Sequence, residues 1–173
     1  MVSAMRKFLI SLFSSLMLSG TALLAGSLER VELPPITHMD ATLTVVRADG
    51  SHQTYTPAQL ETLPTYSLTT RTPWRDDPAT FEGVRLRDIL SAAGLDPTAD
   101  IRVLAENDFS TRIPSEVIRS IDILVATRVD GRAHTRRARG PIQFVLDMES
   151  YERSEHTDES NYVWMAARIE PEI

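Results

Sequence analysis

The sequence predicts a mixed, strand-rich α+β domain with a few short helices. Three observations carry that expectation. Short β-branched or apolar runs recur along the chain, at Ala41–Arg47, Ile101–Ala105, Ile121–Thr127, Pro141–Leu146 and Val163–Ile169. Turn dipeptides separate several of them, and Asp130-Gly131 is the strongest hairpin signal. One segment has a clear helical period: Leu86, Ile89, Leu90 and Ala93 fall at i, i+3, i+4 and i+7 and form one apolar stripe. Strands in the majority with a few short helices read as an α+β domain.

The elements follow in order. Residues 28–40 are polar and carry Pro34-Pro35, so they read as a linker or extended arm. Ala41–Arg47 alternates as a strand, Ala48–Ser51 is a turn, and His52–Tyr55 is the partner strand. Thr56-Pro57-Ala58-Gln59 has the form of a capping box with proline in the first turn, opening a helix that Pro64 stops. Thr65–Arg71 is a strand running into a turn-forming loop, Thr72–Pro78, which holds Trp74. The helix over Leu86–Ala93 ends at Gly94, with Leu95 as its hydrophobic latch. Ile101–Ala105 and Phe109–Ile113 are paired strands around Asn107-Asp108, and Pro114–Ser120 is a short helix at most. Ile121–Thr127 is apolar on both faces in its middle and is a central strand. An arginine-rich loop, Thr135–Pro141, leads into a buried strand, Pro141–Leu146. Asp147–Asn161 is a polar, acidic loop with Tyr151 and His156, and Val163–Ile169 is the closing strand.

Composition bounds the function. The chain has 173 residues and a net charge of −6, from 18 basic and 24 acidic side chains. Setting aside Arg6 and Lys7 leaves 16 basic groups against the same 24 acids, a net −8. A net-acidic domain without a basic face does not suit nucleic acid, where phosphate neutralisation dominates affinity. There is no cysteine, which excludes disulfides, thiolate metal sites and a cysteine nucleophile. The four histidines, His38, His52, His134 and His156, are dispersed as surface residues are, so no metal is expected. No serine lies in a nucleophile-elbow sequence, and no glycine-rich phosphate loop is present.

The N-terminus reads as an export signal. Arg6 and Lys7 precede an almost wholly apolar or small run, Phe8–Leu24, and Ala25-Gly26-Ser27 offers a small-x-small exit. The organisation expected is therefore a signal peptide at 1–27, the arm at 28–40 and one domain at 41–173. The domain then faces the periplasm and is not an integral membrane protein once the signal is cleaved; an uncleaved anchor is the alternative.

Five landmarks stand in order along that domain. They are Thr70-Arg71-Thr72-Pro73-Trp74, Phe81–Leu90, Asn107-Asp108-Phe109 through Ile113-Pro114, Val129–Arg132, and Arg137-Ala138-Arg139-Gly140-Pro141. A closing strand, Trp164–Ile169, follows with Glu170. Together they resemble the molybdopterin-binding domain of the sulfite oxidase superfamily, over about residues 41 to 170. The resemblance implies a sulfite-oxidase-like molybdopterin-binding fold. The enzymes of that superfamily ligate molybdenum through a cysteine a few residues before the tryptophan; here Thr70 stands about there, and threonine supplies no thiolate. The chain is accordingly more similar to small exported members without the cysteine, which act as pterin receptors. Such receptors pass their ligand state to the periplasmic part of a membrane-bound cyclic-di-GMP-metabolising enzyme.

The expected function is thus a non-catalytic periplasmic pterin-binding protein with such a signalling partner. The alternative is a molybdopterin-dependent oxidoreductase with a non-cysteine metal site. Arg137 and Arg139 lead the candidate ligand contacts. They stand two apart at the start of a strand, so both point to one side, where guanidiniums grip a pterin by charge-assisted hydrogen bonds. Arg136 points the other way, into solvent. Pairing of the two arginines with Glu149, Glu152 or Asp158 is the competing role. Trp74, in a loop, suits stacking on a flat heterocycle or capping the core edge. Trp164, within an alternating strand, reads as core, and Tyr151 and Tyr162 are weaker stacking candidates. Asn107 and Asp108 suit a pterin's amino-pyrimidine edge, or a plain hairpin turn. Glu149, Glu155 and Asp158 are alternatives for that pairing. Arg112 and Thr72 complete the set. Binding is expected to alter the Asp147–Asn161 loop, which then meets the partner.

Overall fold

The computed structural model describes residues 27–172. The expected export signal lies almost wholly outside them. The fold is α+β, as the alternating runs require, with two antiparallel-rich sheets and four short helices among the described residues.

The arm contributes β1 (Glu29–Arg30), which pairs antiparallel with β4 (Thr65–Thr72). The alternating run forms β2 (Leu43–Val46), with Leu43 and Val45 buried, and β3 (His52–Tyr55) returns beside it. Helix α1 (Pro57–Leu60) starts at Thr56 with both bonds of the capping box in place. Strand β5 (Arg75–Arg85) pairs with β4 over most of its length, and α2 (Leu86–Ala92) follows directly, burying Leu86, Ile89 and Leu90. Strands β6 (Ile101–Ala105) and β7 (Ser110–Ile113) form a hairpin, and α3 (Ser115–Ser120) comes next. Strand β8 (Leu124–Val129) turns at Asp130-Gly131, both at positive φ, into β9 (Arg132–Ala133). Then come β10 (Gln143–Val145), α4 (Met148–Arg153) and β11 (Ala166–Pro171).

The first sheet runs β1-β4-β5-β8-β10, with β9 on β8. The second runs β3-β2-β11-β6-β7, and within it β11 pairs parallel with β2. Strand β8 is central, as its two-sided apolar middle requires. A single apolar cluster draws on both sheets and α2, with Leu43, Phe81, Ile89, Val103, Leu124 and Phe144 among its members. At Gly83, β5 lies close against β8: a Cβ there would lie 2.1 Å from the Val125 carbonyl oxygen.

Four stretches differ from the sequence expectation. The Thr72–Pro78 loop is only a turn at Pro73-Trp74, because β5 begins at Arg75. Pro78 is tolerated in β5 because it falls in the irregularity of the β4–β5 ladder, between the Thr70–Ala79 and Thr72–Arg75 pairs, and β8 pairs only from Phe81 onward. The arginine-rich segment does not enter a strand. Arg136–Ala138 is a turn of 3-10 helix, and Arg139 takes the left-handed conformation at φ 79°. The acidic 147–161 segment holds α4 and a second 3-10 turn, Glu159–Asn161. Asp147 and Asp158 cap them, accepting from the amides of Ser150 (2.8 Å) and Ser160 (2.7 Å). The closing strand starts at Ala166, because Met165 has φ 51° and breaks the extended run before it.

That break positions the site. The Met165 amide donates to the Arg139 carbonyl (3.1 Å), and the Met165 carbonyl accepts from the Glu106 amide (2.9 Å). One residue thereby ties the β6–β7 turn, the arginine loop and the segment holding Tyr162 and Trp164.

Candidate functional site

A cleft of about 310 Å³ opens where these turns meet the β4–β5 turn. Its walls are aromatic. Trp74 packs edge-on against Trp164, with ring centroids 4.6 Å apart and planes at 82°, and against Tyr162 at 6.0 Å. Both tryptophans of the chain therefore line one cleft. Tyr162 is buried, its hydroxyl donates to the Leu146 carbonyl at 3.3 Å, and burial pushes its pKa well above the ordinary tyrosine range. Phe109 lies at the cleft and is 41% exposed. Asn107, Ser160 and Glu159 supply the polar part of the wall. An apolar cleft with a few polar groups and a size near the lower end of ligand pockets suits a small flat ligand.

Arg139 stands over this aromatic pair. Its guanidinium carbon is 4.7 Å from the Trp164 ring centroid and 5.8 Å from that of Trp74, both within cation–π range. Its strained backbone is held on both sides: its amide donates to the Arg136 carbonyl and its carbonyl accepts from Met165, each at 3.1 Å. Among the described residues, no carboxylate lies within 4.0 Å of the Arg139 or Arg137 guanidinium. Other arginines of the domain pair closely with acids, among them Arg85, Arg102, Arg128 and Arg168. The acids expected to compete are occupied or elsewhere; Glu149 pairs with Arg153 at 3.1 Å.

The expected site residues separate into groups. Trp74 and Asn107 line the cleft, and Arg139 stands over its two tryptophans. Arg137 is exposed on the 3-10 turn and shares no strand face with Arg139. Asp108, at φ 66°, occupies the β6–β7 turn and does not line the cleft. Arg112 is turned to Asp100, Nε to Oδ2 at 3.1 Å, and that guanidinium holds the Asp100 carboxyl at about 2. Thr72 is buried beside the cleft, in the wall of a smaller cavity of about 30 Å³. Arg136 is not left to solvent: its Nε and Nη2 donate to both oxygens of Glu106 at 2.7 and 2.8 Å, and Nη2 also reaches the Asp40 carbonyl at 3.1 Å. This fork ties the arginine loop to the β6–β7 turn a second time.

Sequence reasoning missed Trp164, Glu159, Phe109 and Ser160 as wall residues. Trp164 read as core because its neighbours alternate; only the left-handed Met165 turns it toward the cleft. Glu159 carried no distinguishing signal among its acidic neighbours. Two of the four histidines also turn their side chains inward rather than lying at the surface. The side chain of His38, 7% exposed, bonds Glu61 at 3.1 Å. His134 is 3% exposed, with Nε2 at 2.8 Å from Gln143 Oε1. Burial first, then the charges of Arg139 and Arg75, keep His134 below the ordinary histidine range, against the pull of the Gln143 bond.

The residues do not fit a molybdenum centre held by a protein thiolate. Thr70 is buried in β4, and its hydroxyl oxygen accepts the Met148 amide at 2.9 Å. Among the described residues, no three His, Asp or Glu side chains gather as metal ligands do.

No protein-family model matches the sequence, and no curated protein matches it. Among solved structures, that of the sulfane dehydrogenase SoxCD from Paracoccus pantotrophus is similar, with a TM-score of 0.58 at 15% identity. The match covers 80% of this chain and 39% of that one, so the chain spans well under half the length of its structural relative. The likeness establishes the fold: α+β, sulfite-oxidase-like, with two sheets and few short helices.

Proposed function

We propose that this protein is an exported, non-catalytic binding protein for a pterin. One observation carries the reading: a carboxylate-free arginine, Arg139, stands over two tryptophans at a cleft the size of a small bicyclic ligand. A flat heteroaromatic ring gains stacking from Trp74 and Trp164, and its carbonyl edge gains a charge-assisted hydrogen bond from Arg139. Asn107 and Glu159, in the polar part of the wall, would take the amino-pyrimidine edge, a role expected of Asn107 and Asp108. The resemblance to receptors without the metal-ligating cysteine supports the same reading. So does the use of Thr70 as a hydrogen-bond acceptor for the start of α4.

The partner in this proposal is the periplasmic part of a membrane-bound cyclic-di-GMP-metabolising enzyme. The segment from Asp147 to Tyr162 supports that assignment, because Glu159, Ser160 and Tyr162 line the cleft while α4, with no buried residue, lies at its other end. A ligand in the cleft thus touches the segment that a partner would read.

Titration of the purified, exported protein with reduced and oxidised pterins, followed by calorimetry, tests the proposal. Saturable binding supports it. Absence of binding to every pterin tried, or stoichiometric molybdenum in protein from a cofactor-competent host, overturns it; the second result would favour an oxidoreductase.

A further inference from the structure

The cavity of about 30 Å³ behind the cleft has a feature that the pterin site does not use. Its walls include Thr72, Arg75, Phe81, His134, Arg139 and Gln143. Because Gln143 Oε1 accepts from His134 Nε2, the imidazole proton sits on Nε2, and Nδ1 is left as a bare acceptor. That Nδ1 is buried and has no hydrogen-bond partner among the described residues. The cavity has room for about one water. Among the described residues, the charged groups facing the imidazole are the guanidiniums of Arg139 and Arg75, and no carboxylate lines the cavity. Arg75 is only loosely answered, by an exposed Asp130 at 3.8 Å. Arg139 is shared: it borders this cavity and also stands over the two tryptophans of the cleft.

We propose that His134 is a proton acceptor linked to the charge of the ligand: an anionic group brought against Arg139 draws a proton onto His134 Nδ1. The linkage rests on the cleft being the ligand site. Burial and then two cations hold the imidazole below the ordinary histidine range in the free protein. An anion on Arg139 cancels one of those cations at its source, so protonation of His134 becomes easier. By reciprocity, an acidic pterin binds more tightly as pH falls between the free and bound titrations of His134. An uncharged pterin shows no such dependence. The ligand class favoured is therefore a pterin with an ionised substituent, such as a carboxylate.

The probes are 6-carboxypterin, the parent pterin and inorganic sulfate, each titrated between about pH 5 and 8. The readouts are the ring nitrogen resonances of His134 and the proton uptake seen by calorimetry in two buffers. The expected result is an upward move of the His134 titration with 6-carboxypterin and with sulfate, but not with pterin. The affinity for 6-carboxypterin then rises as pH falls, by at most about tenfold per unit. In His134→Gln that pH dependence disappears. Should that variant fail to fold, the resonances of the unaltered protein decide alone. A His134 titration that stays put while 6-carboxypterin and sulfate bind overturns the linkage and leaves the pterin reading standing. A shift with sulfate and no binding of either pterin keeps the linkage and removes the pterin. No response to any probe overturns both.

Discussion

The guanidinium carbon of Arg139 lies 4.7 Å from the ring centroid of Trp164, and the two residues are also joined through the backbone, since the Arg139 carbonyl holds the amide of Met165, the residue after Trp164. Arginine and aromatic wall are thus one unit. Replacing Arg139 by alanine should weaken pterin binding by about 1.5–3 kcal/mol, the range for a hydrogen bond to a charged group. Arg137→Ala, at the exposed turn, should cost less than about 1 kcal/mol. Calorimetry of both variants beside the parent decides; equal losses would place Arg137 in the contact set.

Because both tryptophans of the chain line the cleft, tryptophan fluorescence, excited at wavelengths that tyrosine does not absorb, reports on the site. A bound pterin should quench most of it. Trp74→Phe and Trp164→Phe should each remove part of the signal and weaken binding, while keeping the fold. Unchanged emission at saturating ligand would place the ligand elsewhere.

The N-terminal arm is fastened by a buried charge cluster. Glu61 accepts from Arg128 Nη2 at 2.5 Å, Thr127 Oγ1 at 2.6 Å and His38 Nε2 at 3.1 Å, while Arg128, 2% exposed, also donates to the Pro34 carbonyl at 2.8 Å. Removing one partner strands the other, so Arg128→Ala should lose about 3–5 kcal/mol in chemical denaturation.

Burial alone would raise the Glu61 carboxyl, but the bonds from Arg128, Thr127 and His38 outweigh it and hold the group below the ordinary glutamate range. A depressed folded value means that this stability is present above the unfolded value, about 4.3, and is lost as pH falls through the folded one. Thermal denaturation should therefore show an acid-side loss in the parent that is smaller in Glu61→Gln.

Gly83→Ala should be among the most damaging single changes in the domain. Its Cβ would strike the backbone of Val125 and Ala126, and a central strand pair has no flexible side chain to give way. A loss at or beyond about 3 kcal/mol is expected, the upper end for overpacking. Refolding at parental stability would mean that β5 and β8 part without penalty.

The fold was readable in the sequence where local signals and burial agree. The 86–93 stripe, the Thr56 capping box and Asp130-Gly131 each specify their element through nearby residues, and each forms as read. The site was readable only in part. Trp74 stands in a turn whose residues announce it, but Trp164 reaches the cleft through a left-handed methionine, for which the sequence has no turn signal. Arg137 and Arg139 seemed equivalent at a spacing of two, which a 3-10 turn makes inequivalent. Glu106 and Arg136, 30 positions apart, are joined by tertiary folding alone, and no local pattern records that.

Thr70 has a structural duty of its own. Its hydroxyl oxygen satisfies the first amide of α4, the helix that begins the segment leading to the cleft. Cysteine there would exchange a strong acceptor for a weak one and leave that amide poorly matched. Installing a thiolate at position 70 is therefore not a local edit: the helix start would need a new acceptor before a metal-binding side chain and the present arrangement of the segment could coexist.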